Sequence, residues 1–389
     1  VNISKIFHPS QYQLFVLLTA ASLITMSGGV VAPVFPDLVE QLNFDPTLAG
    51  NLVSIHCLTL ALFSPLFGII ADKISPVRVL VPSLILYGLA GCTGALMTNF
   101  WSLLGTRALL GVASGGLAAA SLGFMSIMYE GEERAQIIGY GTGTLTLTGI
   151  IFPLLGGWVG ANNWQNAFYL YGLAIPLAGL ATVVFPSQLY QPIKNPETGM
   201  SNNLGAVLSR PAIWQLLLTL ALASVVMYSV VIYAPHYLKD TLGVDAKLNG
   251  LVLAARALGA AFISAFGAKR IAKILSRQGA TAFGFGLMAL TLITIPLLNQ
   301  FQWILLTAVF FGFGFGLVLP NLYSALANIA PTQMRSSVLA IGTGAGFLGQ
   351  FISPILLAPI RGGVGLEAVF YASAGIAMLA GFLLFLPKQ

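Results

Sequence analysis

Stretches of about twenty residues with almost no ionisable side chain follow one another along this chain, each bounded by a charged or turn-rich break. A helix rises about 1.5 Å per residue, so one such stretch crosses the roughly 30 Å hydrocarbon layer of a bilayer. Twelve are counted, near 13–36, 48–71, 78–97, 101–128, 135–159, 164–186, 212–238, 247–268, 279–298, 302–326, 335–358 and 365–386. Soluble cores also contain apolar helices, but a soluble domain carries about a quarter of its residues charged to cover its surface. Here 7% of 389 residues are charged and 57% are hydrophobic. A water-facing enzyme, a nucleic-acid-binding domain and a disordered chain are excluded on that ground. A transmembrane β-barrel needs strands of about ten residues with alternating polarity, and these runs do not alternate.

In a soluble protein the net charge of +6 would point to nucleic acid. In a membrane protein it marks topology, because cationic loops stay in the cytoplasm, so no nucleic-acid partner is expected. With an even number of spans both termini share a side. Placing them in the cytoplasm puts Lys5, Lys73, Arg78, Arg134, Lys194, Arg210, Lys269, Arg270, Lys273, Arg277, Arg335 and Lys388 inside. Only Lys239, Lys247 and Arg361 fall outside, and Arg107 and Arg256 lie within spans. The first apolar run is too long for a signal-peptide core. Cys57 and Cys92 sit in apolar runs and read as small buried hydrophobes. No metal or other cofactor is implied.

The longest polar stretch, rich in Pro, Gly and Asn, lies midway. It divides the chain into a six-helix bundle over 1–186, a cytoplasmic linker over 187–211 and a second six-helix bundle over 212–389. The halves echo each other at an offset near 200. Ala32-Pro33 matches Ala234-Pro235, and Asp45 with Leu48 and Gly50 matches Asp245 with Leu248 and Gly250. Trp101 matches Trp303, and Arg134 with Gly141-Thr142-Gly143 matches Arg335 with Gly342-Thr343-Gly344. The expected fold is therefore all-α and integral to the membrane, with twelve transmembrane helices in two pseudo-symmetric six-helix bundles. Secondary transporters are commonly built this way, with a site between the repeats.

Short motifs sharpen the class. The segment Gly68-Ile-Ile-Ala-Asp72-Lys73-Ile-Ser-Pro-Val-Arg78 resembles the G-x-x-x-D-R/K-x-G-R-R/K loop of the major facilitator superfamily, with Ser75-Pro76 in place of the second glycine. Leu103-Leu-Gly-Thr-Arg107 with Gly111 and Gly115 is similar to that family's R-x-x-x-G-x-x-x-G element. Gly149, Pro153, Gly156 and Gly157 resemble the glycine–proline motif of its drug/proton antiporter branch, with Phe152 replacing a glycine. The resemblance implies a cytoplasmic gate built on Gly68, Asp72, Lys73 and Arg78, with Glu130 as acidic partner. It implies a rocking hinge at Gly149, Pro153, Gly156 and Gly157. Gly312-Phe-Gly314-Phe-Gly316 is no nucleotide loop, because no strand precedes it and no Lys-Ser/Thr follows.

No Asp or Glu sits in the middle of a span; the mid-span charges are Arg107 and Arg256. Two cations in one cavity repel unless an anion joins them, which points to an anionic or zwitterionic small-molecule substrate. Tyr228, Tyr233, Asn321 and Tyr323 offer further polar contacts. Asp37, near the outer end of span one, and His56, in span two, are the candidates for carrying a coupled proton.

The expected function is secondary active transport of a small organic solute by a monomer in a bacterial-type inner membrane. Alternating access and proton-coupled export follow from the resemblance. An organic-anion uniporter or exchanger without proton coupling is the alternative, favoured by the two arginines. A lipid-modifying membrane enzyme would need a His, Asp or Glu cluster at one face, which the sequence lacks.

Overall fold

A computed structural model describes residues 11–129, 131–185, 209–331 and 335–385. Among these residues the chain is helical and contains no strand. The first half holds α1 (Gln11–Gly29), α2 (Phe35–Gln41), α3 (Pro46–Ile74), α4 (Pro76–Thr93), α5 (Phe100–Met128), α6 (Gly131–Val159), α7 (Gln165–Tyr169) and α8 (Ala174–Val184). The second holds α9 (Pro211–Leu242), α10 (Ala246–Phe262), α11 (Ala268–Thr294), α12 (Phe301–Ile329), α13 (Arg335–Val364) and α14 (Leu366–Leu383).

Among the described residues eleven helical stretches are long and apolar enough to span a bilayer, and one of them, Ala246–Leu297, is 52 residues long. Such a rod would measure nearly 80 Å, more than twice the hydrocarbon thickness. It is broken at Ser276, whose φ of 65° lies in the left-handed region. Ser276 Oγ accepts the backbone N–H of Gly279 at 3.2 Å and so starts a new helix. The stretch therefore supplies two crossings, which gives the twelve expected.

Two compact units emerge: Val1–Phe44 with Ile55–Thr198, and Asp45–Ser54 with Gly199–Gln389. The first turns of α3 thus pack with the second unit. In the first unit α1 packs on α5 and α6, and α4 packs on α5 and α8. In the second, α12 packs on α10 and α11, α9 packs on α13 and α14, and α11 packs on α14.

The duplication is visible in backbone detail. Helices α5 and α12 both run 29 residues, starting at Phe100 and Phe301. Asp45 Oδ1 accepts the N–H of Thr47 at 2.8 Å ahead of α3, and Asp245 Oδ1 accepts that of Leu248 at 2.9 Å ahead of α10. Small residues let these helices approach closely. A methyl on Gly111 would collide with the His56 carbonyl, and one on Gly312 with the Arg256 carbonyl. Position 256 therefore stands to Gly312 as position 56 stands to Gly111.

Lipid offers no hydrogen bonds, so polar groups in the spans must be satisfied within the protein. Hydroxyls accordingly donate one turn back, as Ser114 does to Leu110 at 2.8 Å and Thr219 to Gln215 at 2.7 Å. The halves also differ. The first span breaks after Gly29 into a short 3-10 turn and α2, whereas α9 continues through Pro235 to Leu242 and closes on Gly243 at φ 65°. Pro33 and Pro36 next to Gly28-Gly29 account for the first break, since neither proline supplies a helical N–H.

Candidate functional site: two intramembrane arginines

Arg107 lies on α5 and is 2% exposed. One guanidinium nitrogen donates to Tyr171 Oη at 2.9 Å, and the other donates to the backbone carbonyl of Ser27 on α1. The Tyr171 hydroxyl donates a hydrogen bond to that same carbonyl at 2.9 Å. The guanidinium also lies 5.7 Å from the centre of the Tyr171 ring, within cation–π range. Ser27 Oγ meets Ser114 Oγ at 2.9 Å and Tyr87 Oη at 3.2 Å, and Tyr87 donates to the Leu23 carbonyl at 2.6 Å. The first unit thus wraps its arginine in a closed polar network.

His56 belongs to the same cluster. Its Nδ1 is 3.5 Å from the Arg107 guanidinium, and its Nε2 is 3.5 Å from Cys57 Sγ. A guanidinium only donates, so a hydrogen bond between them has Nδ1 as its acceptor. A second proton on His56 would set an N–H against an N–H.

Arg256 on α10 is different. Its Nε is buried with no hydrogen-bond partner, and no hydrogen bond or ion pair joins its guanidinium to another described residue. Internal symmetry shows why. The place of His56 is taken by Arg256, and at the α5/α12 offset the place of Arg107 is taken by Ala308. Matching the buried Phe168 and exposed Tyr169 to Phe370 and Tyr371 puts Ser373 where the first unit has Tyr171. Ser373 Oγ is also buried without a partner among the described residues. The second unit therefore retains the cation without the tyrosine hydroxyl that satisfies it in the first.

The other expected positions scatter. Tyr228 donates to the Val53 carbonyl at 2.9 Å, and Tyr323 donates to Thr343 Oγ1 at 3.3 Å. Tyr233 is fully buried in α9. Asn321 faces a separate cavity with Gln278 and Asn328. Asp37 is half-buried in the first turn of α2. Asp72, Lys73 and Arg78 are exposed around the turn at Ser75, and no ion pair joins them to another described residue. Gly68 has open space around it. Glu130 lies outside the described residues, as do 187–208 of the expected linker. Gly149 is likewise unobstructed, whereas Pro153 closes on Gly29 and Gly156 on the Val30 backbone, with Gly157 buried beside them. Sequence reading missed Ser27 and Tyr171; a lone tyrosine and a lone serine in apolar spans were the only signals for them.

A duplicated set of membrane-spanning helices with arginines inside its spans is the build of a multi-pass membrane transporter. The model of the Major Facilitator Superfamily matches residues 17–354, and the chain belongs to that family. It is similar to the quinolone resistance protein NorA of Staphylococcus aureus strain MSSA476, 24% identical over 388 residues and 97% of each chain. It is also similar to the multi-drug resistance efflux pump PmrA of Streptococcus pneumoniae, 27% identical over 375 residues, covering 92% of this chain and 90% of that one. Among solved structures, a bacterial homolog of the human lysosomal transporter Spinster, inward-facing and occupied, superposes with a TM-score of 0.81 at 17% identity, over 96% of each chain. A D-xylose-proton symporter reaches 0.75 at 14% identity, over 97% of this chain and 98% of that one. At those identities the structures establish the fold alone.

Proposed function

We propose that this transporter exports small amphiphilic organic molecules carrying a negative group, in exchange for protons, with Arg256 as the principal substrate contact. The observation that carries the reading is the unpartnered Arg256 guanidinium. An arginine at bilayer depth costs at least about 2.5–3.5 kcal/mol unless it meets water or an acceptor. Arg107 has its acceptors inside its own unit. Arg256 has none among the described residues, so a substrate anion is the partner its five donors fit. The names of the bacterial relatives, a quinolone resistance protein and a multidrug efflux pump, support export of organic molecules.

The proton enters this reading at His56 and Asp37. Protonating His56 breaks its contact with Arg107, which ties a proton to the arrangement of the first unit. The turn at Asp72, Lys73 and Arg78 acts as a gate, and the contacts of Pro153 and Gly156 with α1 as a hinge for alternating access. The transporter works as a monomer in a bacterial inner membrane with both termini in the cytoplasm, as the lysine and arginine bias supports.

Binding to purified protein and flux in proteoliposomes test the assignment. One charge-assisted hydrogen bond contributes about 1.5–3 kcal/mol, so Arg256→Ala should weaken binding of an organic anion or zwitterion about tenfold to a hundredfold. Arg256→Lys should restore only part, lacking the planar fork. Equal binding by wild type and Arg256→Ala, with preference for cations, would refute the assignment. Counterflow that ignores an imposed pH gradient would favour the organic-anion exchanger, a reading supported by the absence of mid-span carboxylates.

A further inference from the structure

The second unit contains a cavity of about 240 Å³, whose lining does not include Arg256, at the end where α9 begins and α12 finishes. Exposed Arg277, Gln278 and Asn328 form its mouth, and buried Thr281, Asn321 and Leu322 form its floor. Asn328 and Asn321 are seven residues apart on α12, so the cavity is about 10 Å deep. Its volume equals that of about eight water molecules.

Three observations specify what would fill it. At the mouth, the Arg277 guanidinium makes no hydrogen bond or ion pair with another described residue, and Arg210 reaches the rim by donating to the Ile329 carbonyl at 3.3 Å. The mouth therefore attracts an anion. At the floor, Asn321 is 8% exposed and spends its Nδ2 on the Leu317 carbonyl at 2.9 Å. Its Oδ1 receives no hydrogen bond from a described residue, so the floor calls for a donor such as a hydroxyl. Phe382 and Phe385 flank Leu384, which lines the cavity, and Ile274 and Leu275 precede Arg277 in sequence across the break at Ser276; all four are exposed and apolar. These suit hydrocarbon chains.

We propose that this cavity is a binding site for an anionic phospholipid whose headgroup carries hydroxyls beyond the phosphate. The phosphate sits on Arg277, the polyol reaches Asn321 Oδ1, and the acyl chains lie against Ile274, Leu275, Phe382 and Phe385. Basic pockets between membrane helices on the cytoplasmic side bind acidic headgroups by this combination of charge and depth. The site is independent of the substrate assignment to Arg256.

Native mass spectrometry of the full chain in detergent tests it, with dioleoylphosphatidylglycerol, dioleoylphosphatidylcholine and sn-glycerol 3-phosphate as separate probes. One phosphatidylglycerol should remain bound at concentrations where phosphatidylcholine does not. Arg277→Gln should weaken that binding about tenfold or more, the loss of one charge-assisted bond. Asn321→Leu, which fills the floor, should weaken it as well. Arg277 is exposed, so Arg277→Gln keeps the test valid even where Asn321→Leu does not fold. Phosphatidylglycerol binding unchanged by Arg277→Gln would overturn the proposal, as would equal retention of phosphatidylcholine. Binding of glycerol 3-phosphate as tight as that of the lipid would reassign the cavity to a soluble phosphate.

Discussion

Replacing Tyr171 by Phe isolates the hydroxyl that distinguishes the two arginines. The ring remains, so its edge-to-face contact with Tyr87 at 5.6 Å and its place beneath the guanidinium are kept. Two bonds are lost: the one accepted from Arg107 at 2.9 Å and the one donated to the Ser27 carbonyl at 2.9 Å. The first is charge-assisted and contributes about 1.5–3 kcal/mol, the second about 0.5–1.5 kcal/mol. Polar contacts between membrane helices measure lower, near 0.6 kcal/mol on average, because the unfolded chain in lipid finds partners too. Ser27 also keeps its bond from Arg107. The expected cost of Tyr171→Phe is therefore about 1.5–3 kcal/mol, read as a lower unfolding midpoint in detergent. Arg107→Leu removes the charge that needs satisfying, so Tyr171→Phe made in that background should cost less than about 1 kcal/mol. Ser373→Ala, at the matching place in the second unit, removes a hydroxyl with no partner among the described residues and should not lower the midpoint. Additive losses for Tyr171→Phe and Arg107→Leu, or a Tyr171→Phe midpoint equal to wild type, would refute the claim that this hydroxyl holds the arginine.

Gly312→Ala drives a methyl into the Arg256 carbonyl and should cost about 1–3 kcal/mol, whereas Gly149→Ala, with open space around it, should leave the unfolding midpoint unchanged; a drop in flux for Gly149→Ala at normal stability would mark it as a hinge. Asp72→Asn should suppress flux while expression stays normal, and wild-type flux would reduce that turn to a topology signal. The Thr47 hydroxyl and backbone N–H hold the Asp45 carboxyl below its usual pKa, so its contribution is present at neutral pH and fades as pH falls through the lowered value. Asp45→Asn should accordingly flatten the acid limb of the stability–pH profile. Neutralising Asp37 and His56 singly and together should remove flux driven by a pH gradient yet spare counterflow; a double variant still driven by protons would move the coupling site elsewhere.

Most of the fold was legible because the bilayer leaves a chain few options. Apolar runs of fixed length, breaks rich in charge and proline, and a repeat near 200 residues are linear signals, and each has its counterpart in the helices. Ser276 shows where that reading is thin. A left-handed serine reverses the chain between two crossings, and serine is not the residue expected at positive φ. The sites were less legible because satisfaction of a buried charge is a three-dimensional property. Arg107 and Arg256 look alike in sequence, each a lone cation in an apolar run. What separates them is a tyrosine 64 residues from Arg107 and a serine carbonyl 80 residues from it. Backbone acceptors carry no sequence signature at all, so Ser27 was beyond the reach of a motif.

The repeat supplies the control that a single buried arginine lacks. Both units place the backbone of a polar residue at the same helix contact, His56 against Gly111 and Arg256 against Gly312. That shared contact therefore does not explain why Arg256 has no acceptor among the described residues. The difference lies partly in side chains, since Ala308 and Ser373 stand where the first unit has Arg107 and Tyr171, and partly in backbone, since the Ser27 carbonyl that accepts from Arg107 lies in the last turn of α1, ahead of a break that α9 lacks. Shortening the tyrosine to serine removes the reach of a phenol. Keeping Arg107's charge at its own position while removing its tyrosine would have cost stability with nothing gained. Placing the charge on α10 instead leaves its donors without an acceptor among the described residues. Under the proposed assignment that arrangement costs stability in the absence of a partner and returns it when an anion binds.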